Sequence, residues 1–472
     1  MNLVSGSRRG AAPIIIVDKK GWPKVARGLS KVARAWANST GFVADFGEHL
    51  LVPGRRGEIH VVYAAPPKNG HAIWTFAALA ARLPVGRYFL AVEPGREEAT
   101  DVALGWALGG YEFRKYKTRG SPRDRAELLW PEAADRAQVE RLFRAITFGR
   151  DLINTPAEDM GPAELAEAAE NIARRHGASV RVIVGESLLA ENYPMIHAVG
   201  RASHRPPRLI DLRWGKTDAP RVTLVGKGVC FDSGGLDLKS SSAMQLMKKD
   251  MGGAATVLAL ADAVMDAGLP IRLRVLVPAV DNAVSGNAYR PLDVLRTRKG
   301  LTVEVTNTDA EGRLILADAL AEADAERPAV LIDVATLTGA ARVALGPDVP
   351  ALFCNDEPLA ADLLRAAEAS GDRLWRMPLW DGYRSQLDSK VADLVNASSS
   401  PHAGAITAAL FLREFVSATT PWIHIDTMAW NIESRPGRPV GGETMGLRAL
   451  YRMLCERYPA GRSAKAPRSN KR

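Results

Sequence analysis

The sequence predicts an α/β protein: a small N-terminal α/β domain followed by a larger C-terminal α/β/α sandwich on a mixed central sheet. The chain has 472 residues, 47% of them hydrophobic and 24% charged, an ordinary globular composition with length enough for two domains that each bury a core. Short β-rich runs alternate with apolar patterns at helical spacing along most of the chain. In the second half, β-rich runs lead directly into glycine-rich segments, the place where open α/β sheets build their crevices.

Taken in order, the run Ala11-Ala12-Pro13-Ile14-Ile15-Ile16-Val17 reads as a first strand, ended by Asp18-Lys19-Lys20. It is too short for a secretory signal, and no stretch is apolar enough to span a membrane. Residues 58–63 and 88–92 read as strands and 74–83 as a helix. A helix at 98–108 and a strand within 109–117 are expected to close the first domain, before a polar segment at 118–125. An apolar stripe of Val139, Leu142, Phe143 and Ile146 predicts a bridging helix over 132–151 that stops at Asn154-Thr155-Pro156. The second domain is expected to begin near Arg150, with a helix at 163–175 behind the turn Met160-Gly161-Pro162. Strands are expected at 209–212, 222–226, 271–278, 301–305, 330–334 and 422–426, and helices at 254–267, 357–369, 403–416 and 445–455. Residues 227–239, carrying Lys227, Asp232 and Lys239, read as a glycine-rich loop.

The formal net charge is +9, which can signal an acidic partner. Much of the excess sits in Arg457, Arg462, Lys465, Arg468, Lys471 and Arg472, so residues 461–472 are expected to be a disordered basic tail. Without aromatic interleaving or a nucleic-acid module, nucleic-acid binding is not the expected role. The three cysteines, Cys230, Cys354 and Cys455, are too few and scattered for a disulfide framework and point to a reducing, cytoplasmic setting.

The chemistry centres on Asn307-Thr308-Asp309-Ala310-Glu311-Gly312-Arg313-Leu314, at a strand-to-helix junction. Asp309 and Glu311, two apart in an extended segment, can converge on one point. Gly312 allows close backbone approach, and Arg313 supplies a fixed cation. Upstream, Asp232 and Asp250 lie at the end of a predicted strand and the start of a predicted helix, with no Cys or His pair nearby. Such an all-oxygen set can hold two divalent cations, which offset the mutual repulsion of the acids. Lys227 fits either as a charge partner for the acids or, deprotonated, as an unusual metal ligand. Lys239 could stabilise an oxyanion, and Arg313 could hold a small anion such as bicarbonate that relays a proton. No serine or cysteine has a base beside it, so the nucleophile is expected to be a metal-bound hydroxide. His424 reads as a satisfied strand histidine, and Cys230 as buried and inert.

Residues 225–253 and 307–314 resemble the two signatures of the leucyl aminopeptidase family, the M17 cytosol aminopeptidases. The likeness continues in Arg150-Asp151-Leu152-Ile153-Asn154-Thr155-Pro156, in Gly404-Ala405-Ile406-Thr407-Ala408-Ala409 and, more loosely, in 107–117. The resemblance implies a metallo-aminopeptidase acting on peptides with a free α-amine through a hydroxide bridging two divalent metals. One, more exchangeable metal would be held by Asp232, Asp309 and Glu311, with the Asp309 carbonyl. A tighter one would be held by Lys227, Asp232, Asp250 and Glu311, and would receive the α-amine. Lys239 and Arg313 would be the catalytic pair, and Met247, Thr336, Leu337 and Gly339 the substrate contacts. Zinc, manganese or magnesium would serve as the metal. The resemblance further implies a homohexamer with its active sites facing an interior cavity. The N-terminal domain, 1–149, would be macro-like with a role in assembly or access, and the catalytic domain would span 150–460. One departure is His424-Ile425-Asp426-Thr427-Met428-Ala429-Trp430, where the family commonly has His-x-Asp-Ile-Ala-Gly; that run helps wall the side-chain pocket, so a preference for leucine does not follow. The alternatives weighed are a two-metal phosphoesterase, since an acidic pocket with lysines also suits phosphate, and a nucleic-acid-binding protein.

Overall fold

The computed structural model describes residues 1–66, 71–119 and 124–460; the basic tail lies outside the described residues. The chain divides into two compact units, Met1–Thr147 with Asn431–Gly441, and Phe148–Trp430 with Gly442–Arg472. The first unit thus takes back Asn431–Gly441, a segment the sequence reading assigned to the catalytic domain at 150–460.

In the first unit, β1 (Leu3–Val4), β2 (Ala12–Ile16), β3 (His49–Pro53), β4 (Ile59–Ala64), β5 (Arg87–Leu90) and β6 (Glu127–Leu129) form one sheet in the order β1-β6-β5-β2-β4-β3. All neighbours are parallel except the β3–β4 pair. Helices Ala72–Arg82 and Arg96–Gly109 pack together closely because Gly105 has no side chain: a Cβ there would lie 2.1 Å from the Ile73 carbonyl oxygen. One core gathers Ile14, Val62, Phe76, Tyr88, Trp106 and Leu128; a second surrounds Trp22, whose ring meets Phe42 edge-on at 4.7 Å. The strand expected within 109–117 does not form. The last strand is β6, and 111–114 carry charge and aromatics without a sheet partner.

The second unit is built on β7 (Ser179–Val184), β8 (Arg208–Trp214), β9 (Arg221–Gly226), β10 (Gly228–Asp232), β11 (Arg272–Asn282), β14 (Val330–Ala335), β15 (Ala351–Cys354), β16 (Trp375–Arg376) and β18 (Trp422–Asp426). A small side sheet holds β12 (Val294–Arg296), β13 (Thr302–Glu304) and β17 (Leu394–Val395). The main sheet runs β16-β15-β18-β14-β9-β11-β8-β7, with β10 added to the distal half of β11. It is mixed: β18, β14, β9, β11 and β10 run parallel, whereas β8, β7 and β15 join antiparallel.

The parallel strands read as continuous apolar runs because both faces are covered. Helix Gly252–Asp266, buried from Gly252 through Met265, and helix Glu311–Ala325 both pack on β9, β11 and β14. Residues 228–232, expected to be loop, are a strand, and β11 runs on to Asn282, beyond the strand expected at 271–278. Glycine hid the first of these. Gly228 is in β10 because the Pro278 carbonyl oxygen of β11 would sit 2.6 Å from any Cβ there.

Polar groups in this core come in matched sets. Arg150 Nη2 lies 2.8 Å from Glu443 Oε2. His424 Nδ1 lies 2.6 Å from Asp333 Oδ1, and Trp422 Nε1 donates to Asp333 Oδ2 at 2.7 Å. His424 is therefore a core histidine held by Asp333 through Nδ1, as its apolar strand neighbours implied, although its Nε2 is buried without a partner among the described residues. Cys230 is buried, and burial raises its thiol well above the usual range, in line with an inert group.

Candidate active site

The parallel register puts the carboxyl ends of five strands along one edge of the sheet. Asp232 ends β10 directly opposite Asn282 of β11, and Ala335 of β14 faces Asp426 of β18. Lys227 follows β9, and Thr336 follows β14. Two further segments reach this edge: Asp250 on the short 3-10 turn Met247–Met251, and Glu311 and Arg313 in the first turn of helix Glu311–Ala325. Of the predicted acids, scattered over some eighty residues of sequence, Asp232, Asp250 and Asp309 thus line one cavity of about 470 Å³ with Lys227, Lys239 and Arg313, and Glu311 lies buried beside Asp232 and Asp309.

One oxygen each from Asp232, Asp309 and Glu311 lie within 4.8 Å of one another. Lys227 Nζ stands 2.7 Å from Asp250 Oδ2 and 2.9 Å from Glu311 Oε1, and donates to the Thr336 carbonyl at 3.0 Å. Lys239 Nζ lies 2.8 Å from Asp232 Oδ2 and also pairs with Asp309. Gly312 makes room for Lys227: a Cβ at Gly312 would fall 2.5 Å from Lys227 Cε. Gly234, at φ +88°, turns the chain after Asp232 where an L side chain would be strained.

The loops are laced by residues that sequence reasoning did not single out. Asp232 Oδ1 accepts from the Gly234 amide at 2.8 Å and from Asn282 Nδ2 at 2.9 Å. Thr308 accepts at its carbonyl from Tyr289 Oη and Asn282 Nδ2, and its amide donates to Asp237. Asn396 accepts from the amides of Thr306 and Asn307 and donates to the Asn307 carbonyl, while its own carbonyl accepts from Arg313 Nη1 at 2.6 Å. Asp426 Oδ1 accepts from the amides of Leu337 and Thr338, and Oδ2 from the Thr338 hydroxyl. Met247, Thr336, Leu337 and Gly339 line the same cavity.

Electrostatics show a cluster short of positive charge. Burial, then Asp232, push the Glu311 carboxyl up to about 8, and burial and Asp232 push Asp309 up to about 6. Glu311 rises despite its ammonium neighbour because Lys227 is shared with Asp250. Burial opposes charge on Lys227 too, but Asp250, Glu311 and Asp232 outweigh it and hold the ammonium well above its ordinary range. Asp250, opposed by burial, is held below its ordinary value by Lys227 and Lys249. Burial draws Arg313 down to about 10, still cationic at neutral pH. Glu311 Oε2 is buried with no hydrogen-bond partner among the described residues. Carboxylates that retain protons near neutrality, with an oxygen left over, fit a cluster built to share divalent cations.

The comparisons with known proteins bear on this geometry. The model of the cytosol aminopeptidase family catalytic domain matches residues 147–451, and that of the M17 aminopeptidase N-terminal domain matches residues 12–131. The chain belongs to the cytosol aminopeptidase family. It is a metallo-aminopeptidase, a hydrolase, and neither the phosphoesterase nor the nucleic-acid-binding alternative is favoured. A probable cytosol aminopeptidase of Geobacter sulfurreducens is 44% identical over 368 residues, 75% of this chain and 74% of that one. Peptidase B of Klebsiella pneumoniae is 43% identical, over 76% of this chain and 85% of that one. Among solved structures, the cytosol aminopeptidase from Coxiella burnetii superposes with a TM-score of 0.92 at 47% identity, covering 97% of this chain and 99% of that chain. The bottromycin maturation enzyme BotP in complex with Mn superposes at 0.84 with 35% identity, covering 96% and 98%. Among the described residues no helix is long and apolar enough to cross a membrane.

Proposed function

We propose that this cytosol aminopeptidase binds two divalent cations on Lys227, Asp232, Asp250, Asp309 and Glu311. The gathering of these side chains at one sheet edge, with the proton-retaining Glu311 and Asp309 at its centre, supports the reading most directly. Asp232, Asp309 and Glu311 would hold the more exchangeable ion. Lys227, once an incoming cation displaces its ammonium proton, would with Asp232, Asp250 and Glu311 hold the tighter one, Asp232 and Glu311 belonging to both sets. Manganese fits the BotP relative described with Mn; zinc and magnesium suit the same oxygen-rich set.

Bound cations supply Lewis acidity, lowering the pKa of a water and polarising the scissile carbonyl. The rest is done by the chain. Lys227, Asp232, Asp250 and Glu311 would hold the tighter ion where the free α-amine sits, so a blocked N-terminus is refused. Lys239 contributes its charge to the developing oxyanion. Arg313, whose Nε is buried without a partner among the described residues, holds a small anion such as bicarbonate that takes the proton of the attacking water. Asp426 fixes Leu337 and Thr338, so that Met247, Thr336, Leu337 and Gly339 form a rigid wall for the substrate.

A cytoplasmic setting fits the reduced cysteines and the cytosol aminopeptidase relatives. A homohexamer with an assembly or access role for the N-terminal unit rests on the family likeness alone. The functional test is hydrolysis of aminoacyl amides after metal stripping and add-back of each ion. Recovery with a divalent ion, no cleavage of phosphate monoesters and refusal of acetylated substrates are expected; metal-independent cleavage would contradict the reading.

A further inference from the structure

The cavity holds three lysines, and two of them are paired directly with carboxylates. Lys227 and Lys239 are each paired with two carboxylates. Lys249 also lines the cavity and is only 5% exposed, yet its side chain makes no hydrogen bond or ion pair with any described residue; the charges of Asp250 and Asp426 act on it only without contact. Buried ammonium groups are expensive unless a counter-charge meets them. Two nearby acids are already committed. Asp426 spends its oxygens on Leu337 and Thr338, and Asp250 lies against Lys227 and Thr336.

A second cation stands at the same wall. Arg342, exposed on helix Gly339–Leu345, reaches Met428 Sδ with Nη1 at 3.6 Å and forms no ion pair with a described residue. Met247, Met428 and Leu246 give the cavity apolar flanks around these two charges. Such a compartment has room for the methylenes of a side chain and, for its end, two cations that no described acid hydrogen-bonds.

We propose that Lys249, with Arg342 at the rim, makes this enzyme select peptides whose N-terminal residue is acidic. Lys249 Nζ donates to the side-chain carboxylate, and the Arg342 guanidinium adds attraction from the solvent side. The proposal rests on the reading of this cavity as the aminopeptidase substrate site. Leucine would bury its side chain against the methionines but leave Lys249 Nζ without a hydrogen-bond acceptor.

The test is kcat/KM of the metal-loaded full-length enzyme on glutamyl, glutaminyl, leucyl and lysyl 4-nitroanilides. Anilides carry no C-terminal carboxylate, so any preference for acid comes from the side chain. Glutamyl is expected to exceed the isosteric glutaminyl substrate by about 10-fold or more, the scale of one charge-assisted hydrogen bond. In Lys249→Met that ratio should fall close to one, chiefly through KM. In Arg342→Ala, an exposed change, it should fall by less. A wild-type enzyme that prefers leucyl or lysyl over glutamyl overturns the proposal, as does a glutamyl-to-glutaminyl ratio unchanged in Lys249→Met. Should Lys249→Met not fold, the wild-type ratio and Arg342→Ala decide alone. Failure to cleave any of the four anilides would instead overturn the reading of the site itself.

Discussion

Lys227 Nζ lies 2.9 Å from Glu311 Oε1, both side chains almost wholly buried, and yet the glutamate's carboxyl is pushed up rather than down. One ammonium cannot satisfy Asp250, Glu311 and the nearby Asp232 together, and burial adds to the deficit. The deficit is what two divalent cations would remedy.

Metal affinity should therefore depend on pH. Asp309, pushed up to about 6, and Glu311, up to about 8, must lose protons before they can ligate. Below about pH 6 both protons compete with the ion, and above about pH 8 neither does. Apparent affinity, from metal titrations of the stripped protein, should rise steadily between those limits. A flat profile would show that these carboxylates are not ligands.

Asp250→Ala should cost the tighter ion and nearly all activity, a loss of kcat on the order of 10³-fold or more. Elemental analysis of the dialysed variant should find less metal per chain than in the wild type. A fully active variant would remove Asp250 from the ligand set.

Asn396 binds the segment before Asp309 and Arg313 together, without touching the acids themselves. Asn396→Ala should lower kcat by about 10- to 100-fold, as outer partners of metal sites do. The fold should survive, as checked by circular dichroism.

The pair Asp333 and His424 is a stability prediction. His424→Phe fits between Phe353 and Trp422, whose rings stack on the imidazole, but strands a buried carboxylate. The cost should be about 3–5 kcal/mol in denaturant unfolding. Adding Asp333→Asn, which keeps an acceptor for Trp422 Nε1, should recover part of it. Burial favours the neutral ring, but Asp333 overrides it and raises the His424 pKa. The stabilisation from this raised pKa is fully present below the unfolded value, about 6.5. It is lost as pH climbs through the higher folded value. The gap between wild type and variant should therefore narrow from pH 6 to pH 9; a gap that widens would reverse the assigned charge.

Much of this was legible in sequence because the reactive residues sit at ends of predicted elements. Asp309, Glu311 and Arg313 share one junction, and Asp232 and Asp250 flank glycines that advertise close approach. The lacing residues gave no such signal. Asn282, Thr308, Tyr289 and Asn396 acquire their roles only from partners 19 to 90 positions away, and nothing local distinguishes them from surface polar residues. Gly228–Asp232 was misread because glycine weakens a strand pattern while serving its close backbone contact with β11. The return of Asn431–Gly441 to the first unit follows from tertiary packing alone: Gly437, at φ +68°, sits against Ala77 and Trp74, and Arg438 lies over the Trp74 ring.

The most direct measurement is the number of divalent ions bound per chain after stripping and stepwise add-back, recorded alongside hydrolysis of an aminoacyl amide on the same samples. Two ions per chain are predicted, with activity absent from the stripped protein and complete when both sites are filled. Full hydrolysis by the metal-free protein, or filled sites with Asp232, Asp309 and Glu311 all replaced by alanine, would contradict it.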